Sequence, residues 1–116
     1  MKYSIVFPGQ GSQSLGMLSD LRSNFSVVNE IFQEASDAIN LDLWRIINED
    51  QDLLNLTENT QPIMLAAGYA TYKVLESEVN LMPMSIAGHS LGEYTALVAS
   101  GSLSLFDATQ LVRKRA

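Results

Sequence analysis

The sequence predicts an α/β fold on a parallel sheet, from three observations. The first is a short β-rich run, Tyr3-Ser4-Ile5-Val6-Phe7, stopped by Pro8-Gly9. Its nearly continuous apolarity suits a strand covered on both faces, as in a parallel sheet. The second is a further apolar run, Met84-Ser85-Ile86-Ala87, which leads into Gly88-His89-Ser90-Leu91-Gly92 and then into the small-residue run Tyr94 to Ala99. A strand, a sharp turn and a helix form the context that gives a G-x-S-x-G pentapeptide its meaning. The third is the set of helix-period apolar patterns lying between the two strands. At 116 residues the chain is one domain at most.

Taken in order, the first strand is followed by the glycine-rich stretch Gly9 to Gly16. It fails as a dinucleotide loop because Ser14 stands where a third glycine or alanine is needed, and no Gly-Lys-Ser/Thr is present for a phosphate loop. Two readings fit it equally: a plain βα turn, or a loop whose backbone N–H groups and glutamine amides are free to face a cleft. A helical segment is expected from about Met17 to Arg22, then a second helix capped by Ser26, with Phe25, Val28, Phe32, Ala35 and Ile39 as its packing stripe. Leu43 to Ile47 reads as a short helix and Asp52 to Leu54 as another turn, with Trp44 a packing anchor. A longer helix starts within Thr57 to Pro62, Thr60 its candidate cap, and runs to about Glu78 with Ile63, Met64, Ala67, Thr71, Val74 and Leu75 on its apolar face. Asn80 to Pro83 returns the chain to the second strand. Gly101 is a natural helix stop, and Ser104 caps the last helix, whose inward face carries Leu105, Ala108, Leu111 and Val112.

Composition removes several classes of function. With no cysteine, a disulfide framework, a zinc-thiolate site and a cysteine nucleophile are all excluded. A net charge of −6 argues against a nucleic-acid surface, although Arg113-Lys114-Arg115 gathers three of the seven basic residues. No apolar run approaches the roughly 18 residues of a membrane span, and Met1-Lys2-Tyr3 starts no signal peptide. Absence of thiols and of a signal fits a cytoplasmic protein.

The chemistry concentrates at the pentapeptide. A tight strand-to-helix turn puts Ser90 in strained backbone and needs glycines on either side, where Gly88 and Gly92 stand. It also sets the Ser90 hydroxyl at a helix N-terminus, whose unpaired N–H groups favour developing negative charge, with the N–H of Leu91 one oxyanion donor. A Gly-Ser loop without chemistry is the plain alternative. On the last helix, Arg115 lies about 20° from Ala108 at about 100° per residue, along the apolar face. A guanidinium there needs an anion or acceptors, from the same protein or from a ligand, whereas Arg113 and Lys114 read as a solvated charge pair.

Val6 to Gln13, then Thr60-Gln61-Pro62, then Gly88 to Tyr94 resemble the malonyl-CoA:acyl-carrier-protein transacylases and the related acyltransferase domains of polyketide synthases. The resemblance covers the chain from about Lys2 to Ala116, with three separated motifs in the right order. It implies that residues 1–116 are part of an α/β-hydrolase-like large subdomain with a parallel sheet core and a nucleophile elbow. It implies ping-pong acyl transfer in fatty-acid biosynthesis: Ser90 attacks the thioester of malonyl-CoA, holds a malonyl ester, and passes it to the phosphopantetheine thiol of acyl carrier protein. By motif match, the oxyanion donors are the N–H groups of Leu91 and Gln10, and Arg115 clamps the malonate carboxylate. Gln61 and His89 are weaker candidates for the substrate pocket. The resemblance implies no cofactor besides the coenzyme A thioester as substrate, and a monomer when complete. An acidic carrier would be repelled by the overall charge, so it would dock on a local basic patch.

One departure bounds this reading. The family's general base is a histidine far downstream of the serine, and His89 is the only histidine here. Adjacent side chains on an extended turn point to opposite sides, so His89 does not serve. Two strands are also few for a parallel sheet. The sequence therefore reads as the N-terminal part of a larger acyltransferase, without its ferredoxin-like small subdomain and the remainder of the sheet, and with little or no activity alone. Two other functions use the same residues: a serine acyl hydrolase or thioesterase, which needs no inward arginine, and an inactive fragment that binds coenzyme A or a partner chain.

Overall fold

The computed structural model of the protein describes residues 4–79 and 85–116. The elements are β1 (Ser4–Phe7), α1 (Ser19–Asn24), α2 (Ser26–Ile39), α3 (Leu43–Glu49), α4 (Gln51–Asn55), α5 (Thr57–Glu78), β2 (Ser85–Gly88), α6 (Leu91–Ala99) and α7 (Leu105–Arg115). Tyr3, Met84 and the return at Asn80 to Pro83 lie outside the described residues. As expected, β1 and β2 pair in parallel, with Ile5 opposite Ile86 and Phe7 opposite Gly88. The fold is thus α/β, with a small parallel sheet and mostly helices.

The core sits among the helices. Residues Val28, Phe32 and Ala35 of α2 are fully buried, as the apolar stripe predicts, while Phe25 and Ile39 at its ends are half-buried. The helix α5 is buried around most of its circumference, with Leu65, Ala66 and Ala70 inside as well as Ile63, Met64 and Ala67. Thr71 and Leu75, expected on its apolar face, are exposed. The indole of Trp44 stacks on Phe32 at 4.1 Å and 25°, and Arg22 lies over it at 4.6 Å. Its buried Nε1–H has no partner among the described residues.

Helix ends depart from expectation in instructive ways. Left-handed Leu18, at φ 66°, closes the turn before α1 and delays its start to Ser19. Ser26 is already inside α2, whose N-cap is extended Phe25 with no side-chain bond. Thr60 likewise does not cap α5, which starts at Thr57; its buried hydroxyl instead donates to the carbonyls of Leu54 and Leu56. The caps that form are Asp42, Asp50 and, as predicted, Ser104, each accepting from an N–H three residues on. After α6, the N–H groups of Gly101 and Ser102 bond to Val98 and Leu97 with Gly101 at φ 81°, the glycine stop predicted there.

The sheet is far less enclosed than the helices. The helix α6 packs on both strands and Phe7 meets Tyr72 edge-on at 6.1 Å. Val6, however, is 70% exposed. An apolar groove of about 390 Å³ opens between β1 and α5, lined by Ile5, Phe7, Met64, Gly68 and Tyr72 among others.

Candidate active site

The elbow is built by close approach of backbone. A Cβ on Gly88 would lie 1.9 Å from the carbonyl oxygen of Gly92, and one on Gly92 would lie 2.2 Å from the carbonyl oxygen of Phe7. Any side chain at either position would push the start of α6 off the end of the sheet. The turn wraps the end of β1: the N–H of His89 donates to Phe7 at 3.4 Å, and that of Gly92 donates to His89 at 3.0 Å. Between the glycines, Ser90 sits at φ 56° and ψ −115°, a conformation that costs a residue with a side chain about 1–3 kcal/mol.

That strain aims Ser90. Ser90 is the N-cap residue of α6 and is exposed, so its hydroxyl stands at the positive end of the helix. The next side chain, Leu91, is 1% exposed, which anchors the backbone whose N–H opens the helix. An N–H at that position has no intrahelical acceptor. His89 is exposed on the same turn.

The Gly9 loop lies against this turn. A Cβ on Gly9 would come within 3.2 Å of the His89 carbonyl oxygen and 3.8 Å of the Ser90 Cβ, so Gln10 follows directly on a residue that lies beside the elbow. Its glutamine amides are not free, as one sequence reading had them. Gln10 Nε2 donates to Thr57 Oγ1 at 3.2 Å, and Gln13 Nε2 donates to Asn55 Oδ1 at 3.1 Å while its oxygen accepts from the Gly11 N–H at 2.9 Å. The side chains stitch the loop to the end of α4 and the start of α5. Gln61 lies one turn further along α5, and its buried Oε1 has no hydrogen-bond donor among the described residues.

Arg115 does not lie buried, as its angular position suggests. It is exposed at the end of α7, with its Cζ 5.2 Å from the centroid of the Tyr94 ring on α6. The last turn carries it past the packed part of the helix, where a long side chain lays its stem along apolar surface and keeps its head in water. Tyr94 stands one helical turn beyond Ser90, so the cation lies on the elbow's own helix.

Arg113 corrects the sequence reading more sharply. It is half-buried, and its Nη1 donates to the Asn59 Oδ1 at 3.2 Å, whereas Lys114 is solvated as expected. Thr57, Asn59 and Tyr94 were not singled out by sequence reasoning. Each looks like an ordinary helix-surface residue until the fold supplies its partner.

The chain matches the acyl transferase domain family over residues 4–116. It is 48% identical to the malonyl CoA-acyl carrier protein transacylase of Haemophilus influenzae, a match that covers 98% of this chain and 37% of the relative. Its structure superposes on the malonyl CoA-acyl carrier protein transacylase of Coxiella burnetii with a TM-score of 0.96 at 45% identity, covering 99% of this chain and 37% of that one. A malonyl-transacylase solved in complex with a type II PKS acyl-carrier protein superposes with a TM-score of 0.94 at 46% identity, covering 99% of this chain and 38% of that one. The chain therefore spans well under half the length of these relatives.

Proposed function

The chain belongs to the acyl transferase domain family, and from that premise we propose that it carries the nucleophile of a malonyl transferase working between malonyl-CoA and an acyl carrier protein. The observation that carries the proposal is the strained, exposed Ser90 at the start of α6, between two glycines that admit no side chain. The relatives' names supply the acyl group and the carrier.

In this reading the Ser90 oxygen attacks the thioester carbonyl as its proton passes to a base. The negative charge gathering on the carbonyl oxygen is met by the N–H groups of Leu91 and Gln10. The carbon–sulfur bond then breaks, coenzyme A leaves as the thiol, and Ser90 holds a malonyl ester. The pantetheine thiol of the carrier reverses these steps and restores the serine hydroxyl. In this reading the base is a residue other than His89, which lies beside Ser90 along the turn. The same reading places these elements in an α/β-hydrolase-like large subdomain, with further strands covering the groove beside β1.

Arg115 is the carboxylate clamp. A guanidinium whose Cζ lies 5.2 Å from the Tyr94 ring centroid, with no carboxylate partner among the described residues, keeps its N–H donors for a bidentate carboxylate. This point separates the transferase from a serine acyl hydrolase, which has no use for a cation here.

The test is the intact mass of the full-length protein before and after incubation with malonyl-CoA. The expected result is one malonyl adduct, absent in Ser90→Ala. Arg115→Ala is expected to slow acylation by malonyl-CoA about 10²-fold, the loss of one charge-assisted pair. An adduct that persists in Ser90→Ala overturns the nucleophile. Equal rates in Arg115→Ala and the parent favour the hydrolase.

A further inference from the structure

We propose that Asn59 and Arg113 form a latch that positions Arg115, making both of them positioning residues for acyl-group selection. The inference rests on reading Arg115 as the carboxylate clamp and adds the device that holds it.

Asn59 is a polar side chain in the first turn of α5, yet it is only 5% exposed. A buried amide is tolerated when its groups are bonded, and both ends of this one are. Its Nδ2 donates to the Leu53 carbonyl in α4 at 3.0 Å, and its Oδ1 accepts from Arg113 at 3.2 Å. One side chain thus joins the end of α4, the start of α5 and the last turn of α7. Two residues beyond Asn59 stands Gln61, and two residues beyond Arg113 stands Arg115. The latch sits between the two helix segments that carry candidate pocket residues.

A clamp on α7 is only as well placed as α7 is against the helices it packs on. Anchoring Arg113 to Asn59 ties α7 to α5 two residues before Arg115 and its seat on Tyr94. The choice of acceptor matters too. No carboxylate pairs with Arg113 among the described residues, so a neutral amide holds the guanidinium without cancelling its charge. Arg115, two residues on, stays available to an anionic acyl group. Removing the Arg113 head leaves the Asn59 oxygen buried and unpaired and the last turn of α7 unpinned.

The experiment uses the full-length protein with Arg113→Met, which keeps the apolar stem, and Arg113→Lys, which keeps a donor. Steady-state kinetics are measured with malonyl-CoA and with acetyl-CoA, which has no carboxylate. In parallel, the Nε–Hε resonance of selectively labelled Arg115 reports its seat over the Tyr94 ring. Arg113→Met is expected to raise the KM for malonyl-CoA about tenfold, with kcat and acetyl-CoA kinetics unchanged, and to move the Arg115 resonance toward that of a free guanidinium. Arg113→Lys is expected to recover most of both. An Arg115 resonance unmoved in Arg113→Met overturns the latch, as does an equal loss with both substrates. If the resonance moves while neither Arg113→Met nor Arg115→Ala changes malonyl selectivity, the latch stands as a fixture of α7 and the clamp reading of Arg115 fails.

Discussion

The helical half of the molecule and its sheet-and-elbow half are stabilised in different ways. In α2, α5 and α7, large side chains such as Phe32, Ile63, Leu65 and Val112 are sealed from water, and stability comes from buried apolar area. In the sheet and elbow the decisive contacts are backbone against backbone, Val6 is 70% exposed, and the key serine is strained. The first half tolerates no cavity and the second tolerates no added methyl. One arrangement supplies free energy, and the other uses some of it to hold Ser90 where the chain would not otherwise put it.

The comparison can be broken from either side. Phe32→Ala removes the ring stacked on Trp44 and is expected to destabilise the protein by about 3–5 kcal/mol, while acylation of the molecules that remain folded is unchanged. Denaturant unfolding with a parallel burst of Ser90 acylation checks both parts, and a loss of acylation in the folded fraction would erase the distinction. Gly88→Ala is expected to do the reverse. The added Cβ pushes α6 away from β1, acylation falls about 10²-fold or more, and far-UV circular dichroism retains the helical signal. Ser104→Ala is the smallest probe and sharpens the comparison within the helices. It removes a cap distant in sequence from the elbow and should cost about 1 kcal/mol, read as a shift of the denaturation midpoint with acylation intact.

The two halves also differed in how legibly the sequence described them. The elbow could be read almost residue by residue, because strand, glycines, serine and helix are contiguous and their geometry is local. The α2 stripe, the Gly101 stop and the Ser104 cap were legible for the same reason, whereas the parallel pairing was legible from the nearly continuous apolarity of β1. Ser26 and Thr60 misled because a hydroxyl near a helix start can serve a purpose other than capping. In Thr60 the buried carbonyls of Leu54 and Leu56 claim it. Arg113 is more buried and Arg115 more exposed than the sequence suggests, because a helical wheel gives direction and says nothing of how far the packed partner reaches. The partner that buries Arg113 stands 54 residues away in sequence, beyond any local pattern. The stitching of Gln10 and Gln13 to Thr57 and Asn55 was hidden likewise, since glutamine amides have no spacing that names their acceptors.

The packing of Trp44 has a practical consequence. It is the only tryptophan in the chain, and it is held between the Phe32 ring and the Arg22 guanidinium in the helical half. Within these residues its fluorescence is therefore a built-in optical gauge of that half, needing no label. An emission band that stays fixed while Ser90 is acylated, and shifts red when α2 loosens, would separate chemistry from unfolding in one cuvette.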